Sequence, residues 1–312
     1  MELTSLFQKY QKIVIMRHKN PDLDAYGAQF GLFYALKEFL PHHEILAVGD
    51  SNSQNHVGVL IEMKQEHFEG SLCFVLDTVA KQMIESLDFE RADHIVLIDH
   101  HQNKPDIKYH DYLHNPQASS TAEMIVDLLE ESHIPIPYEA SRALYLGIVG
   151  DTGRFQYSNT TSHTFEVVSK LLKTGIDIQS LYQLIYSESL KMKLMKSEFF
   201  ASISLTKHFV AYRKNDIDFL EKHQIDTFTA SRGLVNQMAG ITEIPIWANF
   251  TFDRQTGTIV CELRSRSIPI VDIAKKYGGG GHSLACGCSL KTWEETDLLL
   301  ADLDQLLEET HG

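Results

Sequence analysis

The chain has 312 residues, of which 43% are hydrophobic, and this length and composition predict a folded protein of about two domains. Its formal net charge of −14 argues against binding of long nucleic acid, because such binding needs a track of basic residues along many phosphates. A small anionic substrate stays open, since part of the negative charge would be carboxylates gathered around divalent cations.

The N-terminal segment and the cysteines favour a cytoplasmic protein without disulfides. The first apolar stretch, residues 13–16, ends at Arg17, and no basic segment precedes a long apolar run. Neither a signal peptide nor a membrane span is therefore expected. The four cysteines form no pair of Cys-x-x-Cys modules, which argues against a zinc knuckle and favours free, buried thiols.

The first predicted unit is a strand over residues 12–16, followed by a polar loop and then a helix over residues 25–39. The loop contains His18, Asp22 and Asp24. One interpretation is that the two acids only cap the N-terminus of the helix. The other is that the loop binds divalent cations, which take carboxylate oxygens and imidazole nitrogens as ligands.

Three further strands are predicted over residues 44–49, 72–76 and 94–98. The second of them ends on Asp77, and the third ends on Asp99, His100 and His101. Strands that alternate with helices predict an α/β fold with a doubly wound, mostly parallel sheet. Residues at the ends of such strands meet at the C-terminal edge of the sheet, where these folds bind ligands. For the Asp-His-His run by itself, an ordinary polar turn is the alternative.

Helices are predicted to follow these strands. Ser120 and Glu123 have the spacing of a capping box, which predicts that a helix begins there. Another helix, over residues 138–149, runs into Gly-Asp-Thr-Gly, where the flanking glycines leave the backbone of Asp151 free to turn. The same four residues also suit an ordinary helix-ending turn. A peripheral helix is predicted over residues 164–173.

The C-terminal part of the chain is predicted to form a second, smaller α/β domain. A Lys- and Met-rich stretch without strong apolar identity, residues 188–198, is predicted to be a linker helix between domains at 1–187 and 199–312. Strands at 246–253 and 258–264 are predicted to form a hairpin. The other predicted elements are strands at 202–206, 209–212 and 283–290, and helices at 216–222, 230–239, 269–277 and 294–309.

Four consecutive glycines precede His282. A flexible loop is one interpretation, because glycines are costly to order. The run joins a predicted helix to a predicted strand, however, which favours a backbone nest whose amides approach an anion. Arg264 and Arg266 would add a phosphate clamp from the same domain, or they are solvated surface residues.

In order and spacing, these motifs resemble the four motifs of the DHH phosphoesterases. The matching segments are His18-x-x-Pro21-Asp22-x-Asp24, Asp77, Asp99-His100-His101 and Asp151, with the glycine run before His282 resembling the DHH-associated C-terminal domain. The resemblance covers nearly the whole chain. Arg264-Ser265 and Gly-Gly-Gly-His look most like the nanoRNase and adenosine-bisphosphate phosphatase branch, the NrnA-like proteins, which also includes enzymes that degrade pApA.

The resemblance implies a role for each matched residue of the N-terminal domain. His18 and Asp22 would bind one metal ion, Asp24, His100 and Asp151 would bind the second, and Asp77 would bridge the two. Asp99 would support an imidazole through its other nitrogen, and His101 would stay free to contact the scissile phosphate. Oxygen ligands with two histidines and no thiolate favour two Mn²⁺ ions, with Mg²⁺, Co²⁺ or Fe²⁺ as alternatives.

The resemblance also implies how catalysis and binding are divided. Water activated by the two cations would attack phosphorus in line, so that no protein nucleophile is needed. His101 would stabilise charge on the phosphoryl oxygens or protonate the leaving group, and the sequence leaves both roles open. The C-terminal domain would hold the far phosphate of the substrate. The residues implied in that role are Arg264, Ser265, Gly279, Gly280, Gly281 and His282.

The expected function is Mn²⁺-dependent hydrolysis of short oligoribonucleotides to mononucleotides, and of the related adenosine nucleotides pAp and pApA. An inorganic pyrophosphatase with the same N-terminal motifs is one alternative, and a catalytically silent nucleotide-binding sensor is another. The expected partners are short RNA and small adenosine nucleotides, without long nucleic acid or membrane. The oligomeric state is left open, with a homodimer among the alternatives.

Overall fold

The structure, a computed structural model, describes residues 3–311. The chain divides into two compact units, Met1–Ser187 and Glu188–Gly312. Each unit has its own β-sheet and its own hydrophobic core. Among residues 3–311, no helix combines the length and the apolar character needed to cross a membrane. All four cysteines are free and buried, as predicted.

The N-terminal unit contains a five-stranded sheet in which every neighbouring pair of strands is parallel. Its strands are β1 (Lys12–Arg17), β2 (Glu44–Ala47), β3 (Ser71–Leu76), β4 (His94–Asp99) and β5 (Asp111–His114). The first four were predicted to within about two residues, and β5 was missed because its four half-exposed residues give no apolar run.

Helices and short turns surround this sheet. They are α1 (Leu3–Lys9), α2 (Leu23–Phe39), α3 (Gln65–Phe68), α4 (Thr121–Glu131), α5 (Tyr138–Asp151), α6 (Ser162–Leu172) and α7 (Ile178–Tyr186), with 3-10 turns at Lys81–Met83 and Leu87–Arg91. Helices α2 and α5 approach closely at Gly27, where a Cβ would lie 2.7 Å from the carbonyl oxygen of Ala143. This contact brings the start of α2 close to α5 and so helps to place Asp24.

Both faces of the sheet are buried, which explains why its strands are almost continuously apolar. Ile13, Ile15 and Phe74 pack into the core beneath the helices, whereas Val14 and Cys73 pack into a separate core on the opposite face. A parallel sheet covered on both faces confirms the predicted doubly wound α/β fold of this unit.

The strand order of the sheet is β2-β1-β3-β4-β5. The chain therefore leaves β1 toward one edge and then returns to build β3, β4 and β5 on the other side. In doubly wound folds with this order, the crevice at the carboxyl ends of β1 and β3 is the expected ligand site. The polar residues that follow these two strands thus lie where the topology favours a site.

The C-terminal unit contains a six-stranded sheet in the order β10-β11-β9-β8-β7-β6. Its strands are β6 (Ser204–Leu205), β7 (Val210–Asn215), β8 (Ile246–Asp253), β9 (Thr258–Ser265), β10 (Gly280–His282) and β11 (Ala285–Leu290). Only β7 and β8 pair in parallel, and the other neighbours are antiparallel. The predicted hairpin is confirmed as β8 and β9.

Helices cover both faces of this second sheet. They are α8 (Leu190–Ala201), α9 (Ile217–His223), α10 (Val271–Lys276) and α11 (Trp293–His311), with a π-helical turn at Thr229–Gly233 and a 3-10 turn at Asn236–Met238. The prediction of one regular helix over residues 230–239 is wrong, because buried Asn249 binds backbone carbonyls of the π-helical turn. The stretch predicted as a linker is α8, which packs into the core of the second unit through Met195 and Phe199.

Candidate metal centre and glycine groove

All eight side chains predicted to bind metal or to act in catalysis lie at the C-terminal edge of the first sheet, where strands or helices end or begin. They are His18, Asp22, Asp24, Asp77, Asp99, His100, His101 and Asp151. Seven of them, all but Asp99, fall into three overlapping groups whose potential ligand atoms lie within 4.8 Å of one another. Residues from separate segments of the sequence therefore meet at one centre.

One group consists of His18, Asp22 and Asp77. The Nε2 atom of His18 lies 3.4 Å from Oδ2 of Asp77 and 3.9 Å from Oδ1 of Asp22. Asp22 also caps α2, since its Oδ1 accepts hydrogen bonds from the amides of Asp24 and Ala25. Helix capping and a place in the ligand group are thus both features of Asp22.

A second group consists of Asp24, His100 and Asp151. The Nε2 atom of His100 lies 3.2 Å from Oδ2 of Asp151 and 3.6 Å from Oδ1 of Asp77. Asp77 therefore faces His18 with one carboxylate oxygen and His100 with the other. It reaches this place through a left-handed backbone conformation, with φ of 61°, directly after β3. Such strained residues persist where the surroundings hold them, commonly at functional sites.

Backbone carbonyls orient the two imidazoles that face Asp77. Nδ1 of His18 lies 2.8 Å from the carbonyl oxygen of Lys19, and Nδ1 of His100 lies 3.4 Å from that of Ala118. Both contacts leave Nε2 directed at the acids. Nε2 of His100 is buried without a hydrogen-bond partner, because its contact with Asp151 lacks hydrogen-bond alignment. An orphaned nitrogen among carboxylates fits a divalent cation.

The third group consists of Asp77, His100 and His101, and His101 also pairs with Asp99. Asp99 is fully buried, and its carboxylate accepts hydrogen bonds from Nδ1 of His101 at 2.8 Å and from the His101 amide at 3.1 Å. The imidazole of His101 is 51% exposed. The hydrogen bond that His101 donates to Asp99 raises the pKa of His101 despite partial burial. Asp99 thereby holds an accessible imidazole at the rim of the centre.

The crowded acids perturb the pKa values of the groups around them. Burial raises the pKa of Asp24 well above its usual range, and the charges of Asp77 and Asp151 add to the effect. Burial lowers the pKa of His100, but its contact with Asp151 and the charge of Asp77 outweigh burial and raise this pKa to about 9. Protons held in this way are those that a bound cation would replace.

The N-terminus of α4 belongs to the site, although its role in the centre was not predicted. The amides of Thr121 and Ala122 donate to the two carboxylate oxygens of Asp24 at 2.7 and 2.9 Å. The Thr121 hydroxyl donates to Oδ1 of Asp77 at 2.8 Å. The run Ser119-Ser120-Thr121 before the apolar residues of α4 was the signal, because such residues are typical of helix starts that bind carboxylates.

The predicted capping box at this helix is only half formed. Ser120 accepts a hydrogen bond from the amide of Glu123 at 3.0 Å, as expected. The carboxylate of Glu123 instead accepts from the amide and hydroxyl of Ser119, at 3.2 and 2.6 Å. A buried carboxylate takes the partners that satisfy both of its oxygens, and Ser119 offers two donors where Ser120 offers one.

Asp151 lies in the last turn of α5, whereas the sequence predicted that the helix ends before it. The chain reverses two residues later, where Gly153, Arg154 and Phe155 are all left-handed with φ between 53° and 65°. The Asn159 side chain fixes this end by donating to the carbonyl oxygens of Asp151 and Ser119, at 3.1 and 2.9 Å. Asp151 is therefore placed by a helix and a side-chain tie.

A fully buried arginine next to His18 was also missed. Arg17 forms an ion pair with Glu85 and donates to the backbone carbonyls of Asp50 and His18. Glu85 in turn accepts from the Asp50 amide at 3.0 Å. Three segments at the edge of the sheet are thus tied together beneath the candidate ligands. Nothing in the spacing around Arg17 distinguished it from an ordinary strand end.

The glycine run of the C-terminal unit is more regular than the predicted nest. The amides of Gly278 and Gly279 donate hydrogen bonds to carbonyl oxygens at the end of α10, at 2.9 Å each. Residues Gly280–His282 form the edge strand β10. The prediction of a run of free amides is therefore wrong for the first two glycines, because the end of the preceding helix uses them.

A groove of about 710 Å³ lies along these glycines. In the strand register, Gly280 faces Gly287 and Gly287 faces Glu262, so two residues of this row have no side chain and the floor of the groove is backbone. Arg264 lines the groove and forms an ion pair with Glu262, with Nη2 3.0 Å from Oε2 of the carboxylate. We call this the glycine groove. Gly279, Gly281 and His282 also line it.

Ser265 and Arg266, which the sequence analysis grouped with Arg264, do not line the glycine groove. The Ser265 hydroxyl accepts a hydrogen bond from the amide of Ile268 at 2.9 Å, so it caps the turn after β9. Arg266 lines a different cavity and donates to the carbonyl oxygen of Thr242 at 3.2 Å. The prediction of a clamp formed by Arg264 and Arg266 is wrong, because β9 ends at Ser265 and Arg266, the first residue after the strand, lines the other cavity.

Comparison with known proteins gives a consistent result. Residues 12–148 match the DHH family, N-terminal domain, and residues 217–309 match the DHHA1 domain. A Bacillus subtilis protein named bifunctional oligoribonuclease and PAP phosphatase NrnA is 34% identical over 99% of this chain and 98% of its own length. A Streptococcus mutans protein, named a probable enzyme of the same kind, is 30% identical over 96% of each chain.

The solved structures agree on the fold. An exopolyphosphatase-related protein from Bacteroides fragilis superposes with a TM-score of 0.85 and covers 98% of this chain and 96% of its own. At 23% sequence identity, this likeness concerns the fold alone. It spans the same two units in one chain.

Proposed function

The chain belongs to the DHH phosphoesterase family, and we propose that it is a Mn²⁺-dependent hydrolase of short oligoribonucleotides, which it degrades to mononucleotides, and of pAp and pApA. The observation that carries the proposal is Asp77, whose two carboxylate oxygens face two separate groups of candidate ligands. The names of the B. subtilis and S. mutans relatives support the choice of substrates.

The two groups define the proposed ligands. His18 and Asp22 would hold one cation, Asp24, His100 and Asp151 the other, and Asp77 both. Carboxylate oxygens with two imidazoles and no thiolate suit Mn²⁺, and they also suit Mg²⁺, Co²⁺ or Fe²⁺. When bound, such a pair of cations activates water for attack on phosphorus and stabilises charge on the attacking and leaving oxygens.

The protein's own residues set the geometry and supply a proton. Asp99 holds His101 through Nδ1, so that the remaining nitrogen, Nε2, is the one directed away from Asp99. The raised pKa of His101 favours a proton on that nitrogen. We assign His101 the role of stabilising the phosphoryl oxygens or protonating the leaving oxygen at Nε2. Thr121 and the α4 amides keep Asp77 and Asp24 in place.

We assign binding of the substrate's nucleotide phosphate to the glycine groove of the C-terminal unit. Arg264 supplies a charged donor there, and the bare floor at Gly280 and Gly287 lets a phosphate or sugar approach the backbone closely. In this proposal the N-terminal unit is catalytic and the C-terminal unit selects the substrate. The proposal also includes a cytoplasmic location.

A substrate panel tests this function. Purified protein with Mn²⁺ would be offered RNA of two to five nucleotides, pAp, pApA, cyclic di-AMP and inorganic pyrophosphate. We expect release of mononucleotide from RNA and pApA, and of phosphate from pAp. Hydrolysis of pyrophosphate alone would identify a pyrophosphatase. Binding of nucleotides without release of any product would identify a silent sensor, and either result would refute the proposal.

A further inference from the structure

A second cavity, of about 860 Å³, adjoins the glycine groove in the C-terminal unit. Arg232, Val260 and Glu262 line both spaces, so these residues form a wall that the two cavities share. The second cavity is largely apolar in its lining, and its rim carries the aromatic ring of Phe228, which is 65% exposed. Nothing in the proposed function so far uses this cavity.

Arg232 and Glu262 form the boundary between the two spaces. Nε of Arg232 donates to Oε1 of Glu262 at 2.9 Å, while Nη2 of Arg264 lies 3.0 Å from Oε2 of the same carboxylate. The Glu262 side chain is 8% exposed and so holds two guanidinium groups side by side. Two arginines against one glutamate leave one positive charge here, in a chain whose net charge is −14. An anion would be attracted to this point.

The outer part of the Arg232 guanidinium is free to bind. Its side chain is 64% exposed, and within residues 3–311 neither of its Nη atoms has a hydrogen-bond acceptor. The Glu262 contact at Nε fixes the orientation of the planar group. A pre-oriented fork of free N–H donors is the arrangement that arginine uses to bind phosphate.

Buried polar residues hold the backbone that carries Arg232. This residue lies on the π-helical turn Thr229–Gly233, and Nδ2 of Asn249 donates to the carbonyl oxygens of Ala230 and Ser231 at 2.7 Å each. Asn249 is fully buried and accepts a hydrogen bond from Asn215 at 2.7 Å. Single π-helical turns are rare and occur frequently at functional sites. The turn is therefore an anchored platform for Arg232.

Phe228 stands one helical turn before Arg232, with the Arg232 guanidinium carbon 5.9 Å from its ring centre. An exposed ring beside a phosphate-binding group is the combination that binds single-stranded nucleic acid, because bases stack on the ring while the backbone is neutralised. The cavity lining also includes Asp226 and Asp253, which would repel a phosphate placed there instead of at Arg232. The cavity thus suits a base, and its boundary suits the phosphate.

We propose that Phe228 and Arg232 form an additional nucleotide subsite, in which a base stacks on Phe228 and its phosphate binds Arg232. The inference rests on the proposed function, since it places this nucleotide next to the one held at Arg264 in the glycine groove. The subsite is occupied only by RNA of three or more nucleotides. The subsite therefore strengthens binding of RNA of three or more nucleotides relative to dinucleotides.

The test compares substrates of different length with the intact Mn²⁺-loaded enzyme. The kcat and KM values for pApA and for RNA of three to five nucleotides are measured for wild type, Phe228→Ala, Arg232→Ala and Arg232→Lys. Phe209→Ala is the matched control, because Phe209 is another exposed phenylalanine of the same unit, 49% exposed, that lines a different cavity.

We expect Phe228→Ala to raise the ratio of the trinucleotide KM to the pApA KM about tenfold, the size of effect expected for one lost stacking contact. Arg232→Ala should raise it similarly and lower the salt dependence of the trinucleotide KM by roughly 0.7 in logarithmic slope. Arg232→Lys should restore the slope but not the full affinity. The control variant should behave as wild type.

Two results would overturn the inference. An equal rise in KM for pApA and the trinucleotide would show that these residues only support the glycine groove, and unchanged KM values at every length would show that no nucleotide contacts them. Failure of the proposed function is recognised separately, because the wild-type enzyme would then release no mononucleotide from RNA of any length.

Discussion

In the N-terminal unit, each candidate ligand is a residue at which a strand or helix begins or ends, whereas the groove of the C-terminal unit is assembled from residues that face one another across strands. Asp77 directly follows β3, and His100 directly follows β4. Glu262, by contrast, lies beside Gly287 of β11 in the sheet and accepts a hydrogen bond from Arg232, thirty positions earlier in the sequence. The candidate ligands are therefore encoded locally, whereas the groove to which we assign substrate binding is encoded in the pairing of strands.

The same difference appears in the charge of the two regions. The metal centre collects carboxylates whose protons or cations compensate one another, and burial raises the pKa of Asp24 and Asp151 there. The glycine groove collects two arginines on one carboxylate. In the proposed function an acidic protein binds an anionic substrate, because cations at one region and arginines at the other would provide the positive charge.

Loss of a ligand should break the first region completely. We expect His100→Ala to lower kcat for pApA by more than the 10²–10³-fold typical of one lost hydrogen-bond donor, because the centre would lose both a ligand and its geometry. Steady-state kinetics with saturating Mn²⁺ measures the loss. His163→Ala is the control, since His163 is an exposed histidine of the same unit whose partner is Asp127. A His100→Ala enzyme with near wild-type kcat would refute the ligand assignment.

Cation binding should depend steeply on pH. The pKa of His100 is raised to about 9, so its imidazole holds a proton at neutral pH that a cation must displace. Binding should therefore strengthen as pH rises and weaken as it falls, by about a hundredfold from pH 8 to pH 6 for one displaced proton.

Titration calorimetry in buffers of different ionisation enthalpy measures both the affinity and the protons released. Binding that releases no proton at pH 7 would contradict the protonated state of the centre. The glycine groove supplies the contrast, because binding of AMP to cation-free protein should change much less over the same pH range.

The second region should fail in binding and not in chemistry. We expect Arg264→Ala to raise KM for pApA by about 10- to 100-fold, the value of one or two charge-assisted hydrogen bonds, with kcat within a few-fold of wild type. Arg213→Ala is the matched control, since Arg213 is a partly buried arginine of the same unit outside the groove. A large fall in kcat without a change in KM would contradict the assignment of Arg264 to substrate binding.

Support of the ligands should matter less than the ligands themselves. Thr121→Val removes the hydroxyl that donates to Asp77 while keeping the shape of the side chain, and we expect Mn²⁺ affinity or activity to fall about tenfold. Thr121→Ser keeps the hydroxyl and should retain most of the activity. The comparison of Mn²⁺ activation curves for the two variants measures the effect. Equal curves would show that this hydrogen bond does not support the centre.

Features encoded by neighbouring residues could be predicted from the sequence, whereas contacts between distant residues could not. The apolar runs of β1, β3 and β4 and the polar residues after them are local signals, so the sheet and the residues that converge at its edge could be predicted. The role of Thr121 could not, because its contact with Asp77 joins residues 44 positions apart. The glycine before Asp151 predicts that α5 ends there, because glycine commonly ends a helix. Gly150 instead stays helical, and it packs so closely against α2 that a Cβ on it would lie 2.7 Å from the Cβ of Leu23.

In the second unit, the glycine run was visible but its structure was not. Four glycines in sequence do not reveal that the first two end a helix and the others form an edge strand. Pairing of Arg264 with Arg266 followed from their nearness in sequence, whereas the partner across Glu262 is Arg232. Such rows become visible only when the strand register is known.

We propose that Asp77 joins two cation sites at the switch point of the first sheet. The most direct test of this proposal is a crystal structure of the Mn²⁺-loaded protein with anomalous diffraction at the manganese edge. We predict two manganese peaks, one beside His18 and Asp22 and one beside Asp24, His100 and Asp151, with one Asp77 oxygen on each. A single peak, or two peaks of which Asp77 contacts neither or only one, would contradict this account.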